Sequence, residues 1–223
     1  MKFSQRLVAE LKPIWEANHH HQFVQELSEG TLDVEKFKFY MIQDYIYLVE
    51  YAKLFALGAI KANDLSVEGK FAELLSETLN TEMSLHRSYA KEFGIKEDEL
   101  ENAHPTPVTL SYTNYMLSVG QSGGLDKVLV ALLPCMWSYN QIGHLLVDTP
   151  ASNHPLYANW VEMYSDNDYT DLTNWTINLL DEITTGKSDE DLKELTEIFK
   201  NTTRYEYLFW DMAYNHRDWP EIK

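Results

Sequence analysis

Apolar residues recur along this chain at intervals of three and four, the spacing of one face of an α-helix. The pattern predicts helices near residues 2–18, 20–29, 33–63, 67–93, 107–122, 124–148, 155–165, 168–186 and 189–215. Helix punctuation lies between them. Ser28-Glu29-Gly30 closes one helix and Thr31-Leu32-Asp33 leads into the next, with Asp33 placed to cap it. Ser66-Val67-Glu68 opens the fourth, Gly94 lies just past its end, and His104-Pro105-Thr106-Pro107 cannot continue a helix. Gly186-Lys187-Ser188-Asp189 separates the last two. No alternating run is long enough for a sheet, and Val128-Leu129-Val130-Ala131-Leu132-Leu133 sits inside a longer helical pattern. The expectation is one all-α domain over residues 1–223, without linker, repeat or low-complexity tract.

Three apolar stripes carry a reactive or ionisable residue. In the helix near 33–63, Phe37, Tyr40, Met41, Tyr47, Leu48, Tyr51, Leu54 and Phe55 share a face, and Asp44 falls in its middle. A buried carboxylate is costly unless paired, hydrogen-bonded or protonated, so Asp44 is either structural glue bonded to a neighbouring tyrosine or part of a functional cleft. In the helix near 124–148, Leu132, Cys135, Tyr139, Ile142 and Leu146 line up. Pro134 removes one backbone hydrogen bond immediately before Cys135, so a kink and a freed carbonyl are expected there. In the last helix, Glu206 sits on a stripe with Ile198, Thr202, Phe209 and Ala213, next to the aromatic run Tyr207-Leu208-Phe209-Trp210. Apolar surroundings push a glutamate's pKa upward, which suits a general acid/base near neutral pH; the alternative is a glutamate in a structural pair.

Composition narrows the classes of function. Cys135 is the only cysteine in 223 residues, so it can form neither an intrachain disulfide nor a thiolate zinc cage. It is a small packed hydrophobe or a nucleophile. With no apolar signal region at the N-terminus and one thiol, a reducing cytoplasm is the expected location. The formal net charge of −17, from 35 acidic and 18 basic residues, argues against nucleic acid or an anionic membrane as partner. Fourteen tyrosines supply flat apolar bodies with polar tips, suited to a planar polar ligand.

Other motifs are weaker. Glu82 and His86 stand four apart on one helix, a spacing shared by metal ligands and structural pairs. Glu16-Ala17-Asn18-His19 and Glu101-Asn102-Ala103-His104 match the string of a di-iron bundle, but one lies at a helix end and the other beside prolines. His19-His20-His21 reads as an exposed helix junction. No metal site is expected, and no cofactor.

Taken together, Trp15-Glu16, Gln43-Asp44-Tyr45-Ile46-Tyr47-Leu48, Glu82-Met83-Ser84-Leu85-His86, Tyr112-Thr113-Asn114-Tyr115-Met116, Pro134-Cys135-Met136-Trp137-Ser138-Tyr139 and Phe209-Trp210-Asp211-Met212-Ala213 resemble the TenA family in order and spacing over essentially the whole chain. This is the thiaminase II or aminopyrimidine aminohydrolase group. The resemblance implies a haem-oxygenase-like helical bundle without haem, assembled as a homotetramer. It implies hydrolysis of 4-amino-5-aminomethyl-2-methylpyrimidine to the hydroxymethyl pyrimidine in thiamin salvage, and cleavage of thiamin into pyrimidine and thiazole. Carried over, Cys135 is the nucleophile and Glu206 the acid/base. Asp44, Tyr112, Tyr139 and Tyr164 contact the ring, with Tyr47 and Phe209 in the aromatic wall. Two competing readings are a metal-dependent oxygenase or oxidase using Glu82, His86 and other acids as iron ligands, and a protein that senses thiamin breakdown without turnover.

Overall fold

The computed structural model describes residues 1–221, apart from the side chain of Glu99. Among the described residues every regular element is helical. In chain order these are α1 (Phe3–Glu10), α2 (Lys12–His19), α3 (Gln22–Glu29), α4 (Val34–Lys61), α5 (Leu65–Glu77), α6 (Met83–Glu92), α7 (Glu97–Glu101), α8 (Pro107–Ser122), α9 (Leu125–Leu146), α10 (Ala158–Ser165), α11 (Asn167–Ile183) and α12 (Asp189–Asn215). A π turn, Thr78–Glu82, joins α5 to α6, and a 3₁₀ turn spans Pro150–Asn153. The chain forms two compact units, one of residues 1–32 with 129–210 and one of residues 33–128 with 211–223. None of these helices is long and apolar enough to cross a membrane.

The caps explain most boundaries. Gly30 ends α3 at φ +69°, a left-handed conformation that glycine adopts without steric cost. The Asp33 side chain accepts a bond from the Glu35 amide (2.8 Å) at the start of α4. The fourth expected helix begins at Leu65, because Asp64 caps it by accepting from the Ser66 and Val67 amides. Two departures from the expected helices have clear causes. The first helix breaks at Leu11 because Pro13, the second residue of α2, has no amide for a continuous ladder. His21, expected to be exposed, is buried, and its Nδ1 caps α3 by accepting from the Phe23 amide at 3.1 Å.

The π turn is the third departure. Buried positions are Phe71 and Leu74 before it, Thr78 at its first residue, and Met83, His86, Tyr89 and Ala90 after it. The step from Thr78 to Met83 is five residues, where an α-helix repeats its face after three or four. The wider turn absorbs the extra residue and puts His86 on the buried face.

In the unit of residues 33–128 and 211–223, α4 packs against α5, α6 and α8. Its expected stripe from Phe37 to Phe55 is buried throughout, Asp44 included. In the unit of residues 1–32 and 129–210, Leu129, Val130, Leu132 and Leu133 are fully enclosed. Trp15 of α2 packs on Trp137 of α9 and Phe199 of α12, with ring centroids 5.2 and 5.8 Å away.

Candidate active site

The helix α9 continues through Pro134, and the carbonyl that the missing amide leaves behind is that of Val130. The Thr202 hydroxyl of α12 lies 3.3 Å from that carbonyl oxygen, and 3.0 Å from the carbonyls of Ile198 and Phe199. With one proton it donates to one of them at a time. A second contact between the same helices is the stacking of Tyr139 on Trp210, with centroids 5.1 Å apart and planes at 24°. Residue numbers rise together from Val130–Thr202 to Tyr139–Trp210, so these stretches of α9 and α12 run in the same direction. Cys135 falls between the two α9 contacts and Glu206 between the two α12 contacts. Both are buried, with 7% and 2% of their surface exposed.

Aromatic rings close around this pair of helices. Tyr139 meets Tyr164 edge-on at 4.9 Å and Trp160 at 5.8 Å. Tyr164 is placed by α9 itself, since the Asn140 side-chain amide donates to its carbonyl at 3.0 Å. Gly143 permits this approach: a Cβ there would lie 2.6 Å from the Tyr164 carbonyl carbon. Phe209 is buried one turn after Glu206. The expected residues Cys135, Tyr139, Tyr164, Glu206 and Phe209 thus all lie in the interior of one unit.

In the other unit, Asp44 is 2% exposed and both its bonded neighbours reach the same oxygen. Tyr40 donates its hydroxyl to Oδ2 at 3.0 Å, and His86 Nε2 lies 2.8 Å from that atom. The tyrosine partner was one of the alternatives open from the sequence. The histidine partner was not foreseen, since it stands 42 positions away on another helix. Burial alone pushes the His86 pKa down, but the hydrogen bond and charge of Asp44, then the Glu82 carbonyl and carboxylate, reverse this and hold it above its ordinary value. Glu82 is half-buried as a residue, yet enough protein surrounds its carboxyl group for desolvation to push its pKa up to about 7, against the opposing pull of Thr78 and His86.

Gln43, next to Asp44, ties α4 to the start of α8. Its Nε2 donates to the His104 carbonyl (3.1 Å), and its Oε1 accepts from the Thr106 amide (3.0 Å) and the Thr109 hydroxyl (2.7 Å). Thr106 caps α8 and Pro107 is its first residue, so this anchor sets the rotation of α8. Tyr112, one turn on, then meets Tyr47: the Tyr47 hydroxyl donates to that of Tyr112 at 3.3 Å and the ring centroids are 5.0 Å apart. Among the described residues, no group of three or more His, Cys, Asp or Glu side chains is arranged to hold a metal ion.

The all-helical arrangement of the described residues is that of a class, the haem-oxygenase-like fold. A solved protein of Shewanella denitrificans described as having a heme oxygenase-like fold matches with a TM-score of 0.73, at 16% identity over 95% of this chain and 92% of that one. The chain belongs to the TENA/THI-4/PQQC family, whose sequence profile matches residues 8–216. It is 48% identical to the aminopyrimidine aminohydrolase of Halalkalibacterium halodurans over 98% of both chains. It is 46% identical to the Helicobacter pylori protein of the same name, over 96% of this chain and 99% of that one. The TenA homologue of P. horikoshii superposes with a TM-score of 0.89 at 29% identity, covering 97% of this chain and all of its own.

Proposed function

We propose that this chain is an aminopyrimidine aminohydrolase of thiamin salvage. It converts 4-amino-5-aminomethyl-2-methylpyrimidine and water to the hydroxymethyl pyrimidine and ammonia, and it also cleaves thiamin to hydroxymethylpyrimidine and thiazole. What carries the reading is the bracketing of Cys135 and Glu206 by the Val130–Thr202 and Tyr139–Trp210 contacts, in a chain so close over its full length to two proteins of that name.

A neutral aminopyrimidine does not readily expel an amine from its side chain. In this reading Glu206 protonates a ring nitrogen, and the Cys135 thiolate adds to the carbon beside it. The electron-rich adduct then expels the amine, which leaves with a proton as ammonia, and an exocyclic methylene remains. Water adds there and gives up a proton, the Cys–carbon bond breaks with its electron pair leaving on sulfur as the thiolate, and the ring nitrogen hands its proton back to Glu206, which restores the aromatic ring. Covalent catalysis replaces one difficult displacement by easier steps. Asp44 accepts from the ring's amino group. Tyr112, Tyr139 and Tyr164 contact the ring, and Tyr47 and Phe209 supply aromatic wall. The homotetramer implied by the family resemblance is checked by light scattering of the purified chain.

The deciding experiment is turnover of the aminomethyl pyrimidine and of thiamin, side by side, by purified protein with and without a strong chelator. Ammonia and hydroxymethylpyrimidine released at a rate the chelator does not change is the expected result. Tight binding without turnover would favour a sensor, and chelator-sensitive activity an oxygenase-like enzyme.

A further inference from the structure

His86 is a buried histidine with an acceptor at each ring nitrogen. Its Nδ1 lies 2.9 Å from the backbone carbonyl of Glu82, and that atom can only accept. Its Nε2 lies 2.8 Å from Asp44 Oδ2, which already accepts from Tyr40. A neutral imidazole has one N–H and satisfies one such neighbour as donor; an imidazolium satisfies both. Both ring nitrogens are thus engaged. The Glu82 carbonyl belongs to the last residue of the π turn, and it is this turn that brings His86 onto the buried face of α6.

We propose that His86 is a positioning residue for Asp44: as an imidazolium anchored on the Glu82 carbonyl, it donates to Oδ2 and occupies that atom, so that Oδ1 is presented to the amino group of the pyrimidine. The ligand half of this inference rests on the function proposed above; the charge state of the ring does not. The groups facing His86 are consistent with it. Asp44 and Tyr40 come from α4 and Glu82 from the π turn, while Thr78 and Glu77 act on the Glu82 carboxyl group. The charges acting on the ring are the carboxyl groups of Asp44 and Glu82. A donor pair on Oδ2 also fixes the carboxylate plane, so the second oxygen has one direction in which to accept. The role differs from that of a catalytic residue, because His86 acts on the ligand through Asp44.

Two measurements test this. The first is nitrogen NMR of the full chain labelled at its histidines, with the His86 signals assigned by their loss in His86→Gln. The expected result is that both ring nitrogens of His86 carry protons at pH 7.5. A ring protonated on one nitrogen at that pH would overturn the proposal. The second is equilibrium binding of 4-amino-5-hydroxymethyl-2-methylpyrimidine, and of the analogue with hydrogen in place of the amino group, to the wild type, His86→Gln and His86→Leu. The amino compound is expected to lose at least ~10-fold in affinity with leucine, the scale of a charge-assisted bond. Glutamine, which keeps an N–H for Oδ2, recovers part of it, and the analogue binds all three alike. Equal losses for both compounds, or none for either, would overturn the positioning role. If the wild type binds neither compound and turns nothing over, the proposed function fails and the ligand half of this inference with it, while ring protonation still decides the charge state.

Discussion

The Thr202 hydroxyl of α12 reaches the carbonyl oxygen of Val130, the one group in α9 that Pro134 deprives of its helical donor. A proline inside a buried helix is thereby tied to a neighbouring helix one turn before Glu206. An unsatisfied buried acceptor costs about 1–3 kcal/mol. Thr202→Val is therefore expected to lower stability by roughly that amount in denaturant unfolding. Pro134→Ala supplies an amide to Val130, so the threonine should matter less in that background. A double-mutant cycle is expected to show coupling of at least about 0.5 kcal/mol. Additive effects would mean that Thr202 serves only the carbonyls of its own helix.

Cys135→Ser and Glu206→Gln separate the two proposed chemical roles. The serine variant should fold normally and lose nearly all turnover, because a hydroxyl at neutral pH is a far poorer nucleophile than a thiolate. The glutamine variant should still bind the pyrimidine and turn over at least ~100-fold more slowly, the usual effect of losing a general acid/base. Melting temperature and rate are to be measured on the same preparations. A Glu206→Gln protein that melts earlier but turns over normally would make that glutamate structural.

Glu82 links pH to stability. Its pKa rises from 4.5 to about 7 on folding, so the folded chain binds a proton there that the unfolded chain has released. The resulting cost is absent below pH 4.5, grows as pH rises toward 7 and is constant above it. The shift corresponds to roughly 3 kcal/mol at most, reduced by the support that the Glu82 charge lends to His86. Glu82→Gln is expected to stabilise the protein by about 1–3 kcal/mol at pH 8 and to have no effect at pH 4. The backbone carbonyl that holds His86 is unchanged in this variant. Equal melting shifts at the two pH values would remove the titration from the explanation.

Gly143→Ala tests the placement of Tyr164. The added methyl would meet the Tyr164 carbonyl carbon at 2.6 Å and the Ser165 nitrogen at 2.8 Å, and backbone atoms cannot swing away as a side chain can. A loss of about 1–3 kcal/mol is expected from overpacking, despite the better helix propensity of alanine. Because the strain falls on the segment carrying Tyr164, KM for the pyrimidine should rise more than kcat falls. An unchanged KM would show that α10 absorbs the strain without moving the ring.

The sequence by itself determined the helices and most of the buried set. Apolar periodicity placed α4, α8, α9 and α12 and put Asp44, Cys135 and Glu206 on their inner faces, because burial stripes and caps are local properties of the chain. The family resemblance then pointed to the tyrosines. Three features were decided only by tertiary structure. Spacing marked Glu82 and His86 as a pair on one helix, but His86 finds Asp44 across 42 positions, through a π turn that no three-to-four periodicity signals. His21 looked like part of an exposed run and is a buried cap, since an N-cap is recognised by the chain's bend rather than by composition. Pro134 announced a freed carbonyl, while the donor that answers it, Thr202, comes from a helix 72 residues away. Each of these depends on a partner distant in the chain, and hydrogen-bond satisfaction in a packed interior is settled only when the helices meet.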